Sequence, residues 1–423
     1  MRLRTSILCL LMLLGAAGAR AQEIEIGIVK QAFERYDILV MPLEVTSGGT
    51  EAQQDAWTVE SVMSLDLDYS GLFRALSPQE ADTAAVSFGI EGVLEGRLPG
   101  TAVTAAEAAP VLTLRLVSQP GRQVLLNKRY RPTAGQLRAS AHHFVNEVVQ
   151  LIMGEPGIAL TRIVFSRGSD DRRDIYCVDY DGEGLKRLTA NRRLNLFPAW
   201  SPDGTQIAFM SWEEGQQGLY LLETATGDVS VVNRTLGSNL GPTWSPDGKE
   251  LLASLSKTGQ HEIYRIRLKD GHLQRLTVSD AIEVSPSWSP NGRDIVFTSD
   301  RTGSPQLYVM GGDGSGRRRL SFEGRYNDAA SWSPNGELIV YACREQDITQ
   351  VVLMNQDGSE RRFLTDASWG NCEDPAWAPD SRHVVFASDR SGLFKLYVMD
   401  VTDGSARQLT FGDEPDTTPH WSR

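Results

Sequence analysis

From about residue 158 onward, apolar residues come in short runs broken by turn residues, and the breaks recur at a constant interval. Runs such as Ile207-Ala208-Phe209, Ile295-Val296-Phe297 and Val384-Val385-Phe386 each follow a segment reading Pro-x-Trp-Ser-Pro-Asp/Asn-Gly. That segment is complete at Pro198 to Gly204, Pro242 to Gly248 and Pro286 to Gly292. Ala330 to Gly336 carries it with Ala in first place, Pro375 to Ser381 is a looser copy, and Pro419-His420-Trp421-Ser422 is a short one. The tryptophans Trp200, Trp244, Trp288, Trp332, Trp377 and Trp421 are therefore 44, 44, 44, 45 and 44 residues apart. Later in each period comes an apolar pair ending in Tyr176, Tyr220, Tyr264, Tyr308 or Tyr397, with Val352 once in that column. A glycine turn and a short strand follow, as in Arg187 to Thr189, Arg275 to Thr277 and Gln408 to Thr410. Four short strands in such a period predict a propeller blade. Ser-Pro-Asp-Gly suits the tight turn between two of them, since Pro presets φ, Asp bonds its own backbone and Gly takes φ > 0.

The columns are offset, and the offset predicts how the ring closes. The first repeat, about Ile158 to Asn195, lacks a Trp strand before it, and the last Trp strand has no blade after it. The segment around Trp421 should supply the inner strand of the first blade, closing six blades. At one large residue per blade, the Trp and Tyr columns read as filling the wedge between sheets. The Asp of each turn reads as a turn residue.

Before the repeats the pattern changes. Met1 to Ala21 reads as a secretory signal, with Arg2 and Arg4, an apolar run from Ile7 to Leu14, and Ala19-Arg20-Ala21 at the cleavage site. Cys9 lies in that run without a lipoprotein context. From Gln22 to Gly157 the order βαβββα predicts a small α/β domain. Its strands are Ile38 to Pro42, Phe88 to Leu94, and a hairpin of Val111 to Val117 with Val124 to Tyr130. One helix is expected over Glu51 to Leu67, carrying into Leu72-Phe73-Arg74, and a second over Ala134 to Met153. Gly154 and Pro156 mark the hinge at 157/158, and Ala102 to Pro110 reads as a loop. The expected fold class is thus an all-β six-bladed propeller, residues 158–423, preceded by an α/β domain, residues 22–157.

Composition narrows the function. Losing Arg2, Arg4 and Arg20 takes the formal charge from −12 to −15, which disfavours nucleic acid and anionic lipid as partners. Beyond the signal no apolar run reaches membrane-spanning length, so no direct membrane insertion is expected. Three cysteines remain: Cys177 reads as a core thiol, and Cys343 and Cys372 either pair or stay free. No G-x-S-x-G, His-Glu-x-x-His, Cys-x-x-Cys or phosphate-cradling loop occurs. With the repeats running to residue 423, no hydrolase domain is expected beside them. His142 and His143 adjoin on a helix and cannot chelate together. They read, with His261, His272, His383 and His420, as surface or cap residues. The expectation is a non-enzyme with no cofactor and no metal.

Function is then expected on one face. The loops before each Trp should share it with the turns between strands two and three. Five residues before each Trp stand Asn195, Asn239, Glu283, Asn327, Cys372 and Asp416; one residue on stand Leu196, Leu240, Val284, Asp328, Glu373 and Thr417. These are expected to ring the channel mouth, polar groups backed by apolar ones. Glu373, Asp374, Asp413, Glu414 and Asp416 gather in one sector, suiting a partner with basic projections or a cation in the channel.

Signal, α/β domain and Pro-x-Trp-Ser-Pro-Asp-Gly propeller together resemble the TolB family, the periplasmic component of the Tol–Pal envelope system of Gram-negative bacteria. Leu255-Ser256-Lys257-Thr258-Gly259 and Thr298 to Gly303 are family-like in detail. The resemblance implies a monomeric periplasmic scaffold that supports outer-membrane integrity and constriction during cell division. It implies binding of the lipoprotein Pal through the pre-Trp loops, at Ser238, Asn239, Gly241, Val284 and Ser285 foremost. It implies TolA binding through Gln22, Glu23, Ile24, Glu25, Ile26, Gly27 and Ile28, whose alternation fits strand addition or an ordinary first strand. The alternative from another class is an exported propeller enzyme or small-ligand binder with its site in the channel.

Overall fold

The computed structural model describes residues 35–46, 48–81, 90–98, 111–119, 121–133, 135–213 and 215–423. The signal, the segment 22–28 and the Ala-rich stretch 102–110 lie outside them. The α/β domain comprises β1 (Tyr36–Val40), β2 (Glu44–Val45), α1 (Gly49–Tyr69), β3 (Phe73–Leu76), α2 (Pro78–Ala81), β4 (Ile90–Leu98), β5 (Leu112–Ser118), β6 (Val124–Tyr130) and α3 (Leu137–Met153). Its sheet runs β3-β1-β4-β5-β6, with β2 on β4. Val59, Met63 and Leu67 of α1 and Phe144, Val145 and Val148 of α3 recur at helical spacing. They share a core with Ile38, Leu94, Leu114 and Leu116, which alternate along their strands.

The first helix does not carry into Leu72-Phe73-Arg74 as expected. The Ser70 hydroxyl donates to Leu67 O at 2.6 Å, Gly71 turns to φ +69°, and fully buried Phe73 opens β3 beside Tyr36. A Ser-Gly pair after an apolar stripe is a helix stop.

Six four-stranded sheets follow. The inner strands of blades two to six are Asn195–Trp200, Asn239–Trp244, Glu283–Trp288, Tyr326–Trp332 and Cys372–Trp377. Blade one takes its inner strand from Asp416–Trp421, which pairs antiparallel with Arg162–Gly168. In an unbroken turn, Gln206 N–H donates to Ser201 Oγ at 2.9 Å. Across the closure, Arg162 N–H donates to Ser422 Oγ at the same 2.9 Å. The ring is closed by reproducing the repeat's own turn. Within those turns Ser201 donates to Asp203 at 2.6 Å, and the pattern recurs at Ser245–Asp247, Ser289–Asn291 and Ser333–Asn335. In blade six Ala378 has no hydroxyl, and Asp380 accepts from the N–H groups of Arg382 and His383 instead.

All six tryptophans are buried, and the indoles of Trp244 and Trp377 donate to Ala199 O and Ser331 O of the preceding blade, at 3.0 and 3.1 Å. The wedge reading holds for the tyrosines too. Phe209–Tyr220, Phe297–Tyr308 and Phe386–Tyr397 face each other across strands with ring centroids about 6 Å apart. Val352, the exception in the column, faces Tyr341, so its blade keeps a large ring on the neighbouring strand. The outer strands stop sooner than expected, at Arg187, Arg275 and Gln408. The hydroxyls of Thr189, Thr277 and Thr410 then accept from the N–H groups of Ile175, Ile263 and Leu396 at 2.9, 2.9 and 3.0 Å. Cys177, Cys343 and Cys372 are free buried thiols. Burial pushes Cys177 up to about 12 and Cys372 to about 11.

The α/β domain docks on the face carrying the turns between strands one and two and between three and four. Arg382, in the first turn of blade six, donates to Gly71 O and to Asp400, both at 2.7 Å. The backbone passes so close there that a Cβ on Gly71 would collide with the Asp400 carboxylate and the Arg382 guanidinium. The opposite face, with the pre-Trp loops, carries no part of that domain's described contacts.

Candidate functional site: the loop face of the channel

The six inner strands succeed one another around the axis, so one position in each makes a ring. Five residues before Trp, the side chains turn inward. Asn195, Asn239, Glu283, Asn327, Cys372 and Asp416 are all fully buried. Their expected place as a polar ring at the mouth is corrected: they turn back into the sheet, where most of their side chains tie the pre-Trp loop to the preceding blade or, for Glu283, to its own blade. Asn195 donates to Arg173 O at 2.8 Å. Asn239 donates to Gln217 O, Thr235 O and Gly237 O at 3.0–3.1 Å. Glu283 accepts from Ser279 at 2.9 Å and pairs with Arg301. Asn327 donates to Gln306 and to Glu323 O at 3.0 and 2.7 Å. Asp416 pairs with Arg167 at 2.5 Å, and Lys395 stands 3.5 Å away. Buried polar groups need such partners.

The next two positions are the ones that face the channel. Every inner strand shifts register just there: between Leu196 and Ala199, Leu240 and Thr243, Val284 and Ser287, Asp328 and Ser331, Glu373 and Ala376, Thr417 and His420. Three residues before each Trp, Phe197, Gly241, Ser285, Ala329, Asp374 and Thr418 all have positive φ, between 50° and 57°. Five of these six are not glycine, a conformation that costs L-residues free energy and clusters at functional sites. The following residue is Pro in five blades and Ala330 in one. Proline inside a strand is a bulge signal, and this was the clue in the sequence that went unused.

Identical backbone presents different chemistry around the ring. Leu196, Phe197 and Leu240 give blades two and three an apolar sector. Val284 and Ser285 are half-buried beside it, as are Gly241 and Ser238. Ser238 N–H is held by Ser256 Oγ at 2.7 Å. Opposite, Asp328, Glu373 and Asp374 converge. Asp328 accepts from Thr298 at 2.8 Å and Tyr326 at 2.9 Å. Burial, then the neighbouring carboxylates, pushes Asp374 up to about 7, and burial also raises Glu373. The expected acidic sector is thereby reduced: Asp413 and Glu414 are exposed beyond the channel, and Asp416 is buried and neutralised. The same face exposes Leu236, Val278, Ile282, Phe322 and Phe411 on its blade-to-blade loops. These were missed, although Val278, Phe322 and Phe411 each follow a Leu-Thr or Leu-Ser pair where a polar residue would be expected. Such a surface can take an apolar side chain on one half and a basic group on the other.

The channel's other end is a cavity of about 110 Å³ lined by the Trp and Pro residues of the turns. Among the described residues, the set of His and carboxylate groups with metal-ligand spacing, Asp66, His142 and Asp181, lies at the domain joint and not in the channel. Among them, too, no helix is long and apolar enough to cross a membrane.

The sequence profile of the TolB beta propeller domain matches residues 149–372, more than half of the chain. The chain belongs to this TolB family. It is 34% identical over 222 residues to a protein TolB homolog of Chlorobaculum tepidum, covering 51% of this chain and 50% of that one. It is 32% identical over 237 residues to the Tol-Pal system protein TolB of Methylobacillus flagellatus, covering 53% and 52%. The chain thus spans about half the length of the curated relatives it matches. The crystal structure of TolB from Acinetobacter baumannii superimposes with a TM-score of 0.78 at 25% identity, over 92% of this chain and 97% of that one. That overlap takes in the α/β domain as well as the propeller.

Proposed function

We propose that the protein is a non-enzymatic, monomeric binding scaffold of the Tol–Pal system, exported to the periplasm after loss of residues 1–21. In this reading residues 22–157 and 158–423 are its two domains. The loop face takes the lipoprotein Pal, and residues 22–28 take TolA, coupling the pair to outer-membrane integrity and constriction at division. The observation that carries the Pal assignment is the ring of positive-φ residues opening on the face left clear by the α/β domain. Family membership and the name of the Methylobacillus relative, a Tol-Pal system protein, support the choice of system.

Titration calorimetry of residues 22–423 with the globular domain of Pal tests the reading. One-to-one binding is expected, weakened at least about thirtyfold by Val284→Arg, as for a residue central to an interface. Asn239 is a poor choice for the same test, because its buried hydrogen bonds make any change there a change in folding. Absence of binding by the folded wild type overturns the Pal assignment.

A further inference from the structure

The outer strand of each blade leaves one edge of its sheet open, and five of the six blades blunt that edge. Their outer strands are Lys186–Arg187, Leu273–Arg275, Arg318–Arg319, Arg362–Phe363 and Ala406–Gln408, two or three residues long and each carrying Lys or Arg. Short length and positive charge are how sheets keep other strands away. A second device sits two residues before Thr189, Thr277, Ser321 and Thr410. There Arg187, Arg275, Arg319 and Gln408 fold back and donate to the carbonyl two residues on, at 2.6–2.9 Å. In blade five Phe363 holds that place under the Arg361 guanidinium, which lies 4.4 Å from its ring centroid.

Blade two has neither device. Its outer strand, Val229–Asn233, is five residues long and uncharged, and Val231 stands in the arginine column. Val229 and Val231 are 51% and 54% exposed, while Val232 packs inward. The backbone is open at the same two residues. Leu222 pairs with Val229, Leu221 with Ser230 and Tyr220 with Val231, and Glu223 N–H donates to Asp228 O at 2.9 Å. Bonded pairs alternate along an antiparallel ladder. Ser230 therefore bonds inward to Leu221, and Val229 and Val231 turn N–H and C=O outward. Four backbone groups and two exposed valines thus repeat at strand spacing along one edge.

We propose that this edge docks an extended segment of a partner protein, which adds a fifth strand to the four of blade two. An extended backbone is what answers two N–H and two C=O groups at that spacing. A second copy of the chain fits poorly, since two five-residue edges bury far less than the about 1,200 Å² a stable pair needs. Antiparallel addition sets the partner's chemistry. Apolar or β-branched residues stand opposite Val229 and Val231, a hydroxyl opposite Ser230, and a basic residue opposite the exposed Asp228. The edge belongs to the outer rim of the ring, so the proposal holds whichever partner the loop face takes.

The acetylated, amidated peptide Thr-Val-Thr-Val-Arg is the probe, and amide exchange of residues 22–423 measured by NMR is the readout. In the free protein the Val229 and Val231 amides should exchange fast; saturating peptide should slow both at least about tenfold, the scale of one net backbone hydrogen bond. The same peptide N-methylated at both valines cannot donate to the edge carbonyls and should leave the rates unchanged. Val231→Arg gives blade two the arginine of its neighbours. It should melt like wild type and bind the peptide at least about tenfold more weakly, since charge now guards the edge. Amides already slow in the free protein, no slowing by the peptide, or a Val231→Arg variant that binds as wild type does would each overturn the proposal. Slowing that grows with protein concentration in the absence of peptide assigns the edge to a second copy and overturns it too.

Discussion

The two ends of the propeller channel are built from the same six strands and behave as opposites. At the turn end, successive blades repeat one solution: a tryptophan, a serine hydroxyl bonded to the Asp or Asn two residues on, and a glycine at φ near +70°. The α/β domain covers part of that end. At the loop end the backbone is just as regular, with six bulges and six positive φ angles, yet the side chains on it differ from blade to blade. Repetition of side chains marks what holds the ring, and repetition of backbone with varied side chains marks what the ring displays. The buried column five residues before Trp belongs to the first kind although it lies near the second.

This contrast can be broken at its strongest point first. Trp421→Ala, at the closure, is expected to destabilise the propeller by about 3–5 kcal/mol in urea unfolding, whereas Phe411→Ala on the loop face should leave the midpoint unchanged. Asn239→Ala is expected to cost about 1–3 kcal/mol, because it strands the carbonyls that Asn239 now satisfies. Val284→Ala, one blade on at the displayed position, should cost far less. Asp374→Asn sharpens the comparison through pH. The Asp374 carboxyl is held near 7 against an ordinary 3.8, so folding takes up a proton there and wild-type stability falls as pH climbs from about 4 to about 7. The variant should therefore melt higher than wild type at pH 8 and alike at pH 4, by no more than about 1 kcal/mol once channel water screens the charge. Smallest of all, Ser285→Gly should relieve a left-handed residue and gain a few tenths of a kcal/mol, offset by the entropy of glycine.

The blade count and the closure by the last strand were legible in the sequence because a constant Trp interval and an offset between two columns leave one arrangement. The two helices were legible from their apolar stripes. Less visible was direction. An alternating strand puts neighbouring residues on opposite faces, so Asn195 and Leu196 could be sorted only by knowing where the bulge falls. The bulge inverts the reading: the polar residue goes in and the apolar one faces the channel. His142, expected at a surface or cap and buried instead, was misread for a related reason. Its partners, Asp66 and Tyr180, come from sequence-distant elements that only domain docking assembles.

The seam between Asp416–Trp421 and Arg162–Gly168 also sets a clock. Blades two to six can each complete four strands as the chain emerges, but the strand from Arg162 keeps an open edge until residues some 250 positions later have been made. Such long-range pairing is slow to find, and an unpaired edge is a template for another chain. The interval between the first blade and its final strand is therefore the period in which this protein is most exposed to aggregation, and the step at which a chaperone gripping residues 162–168 would have the greatest effect.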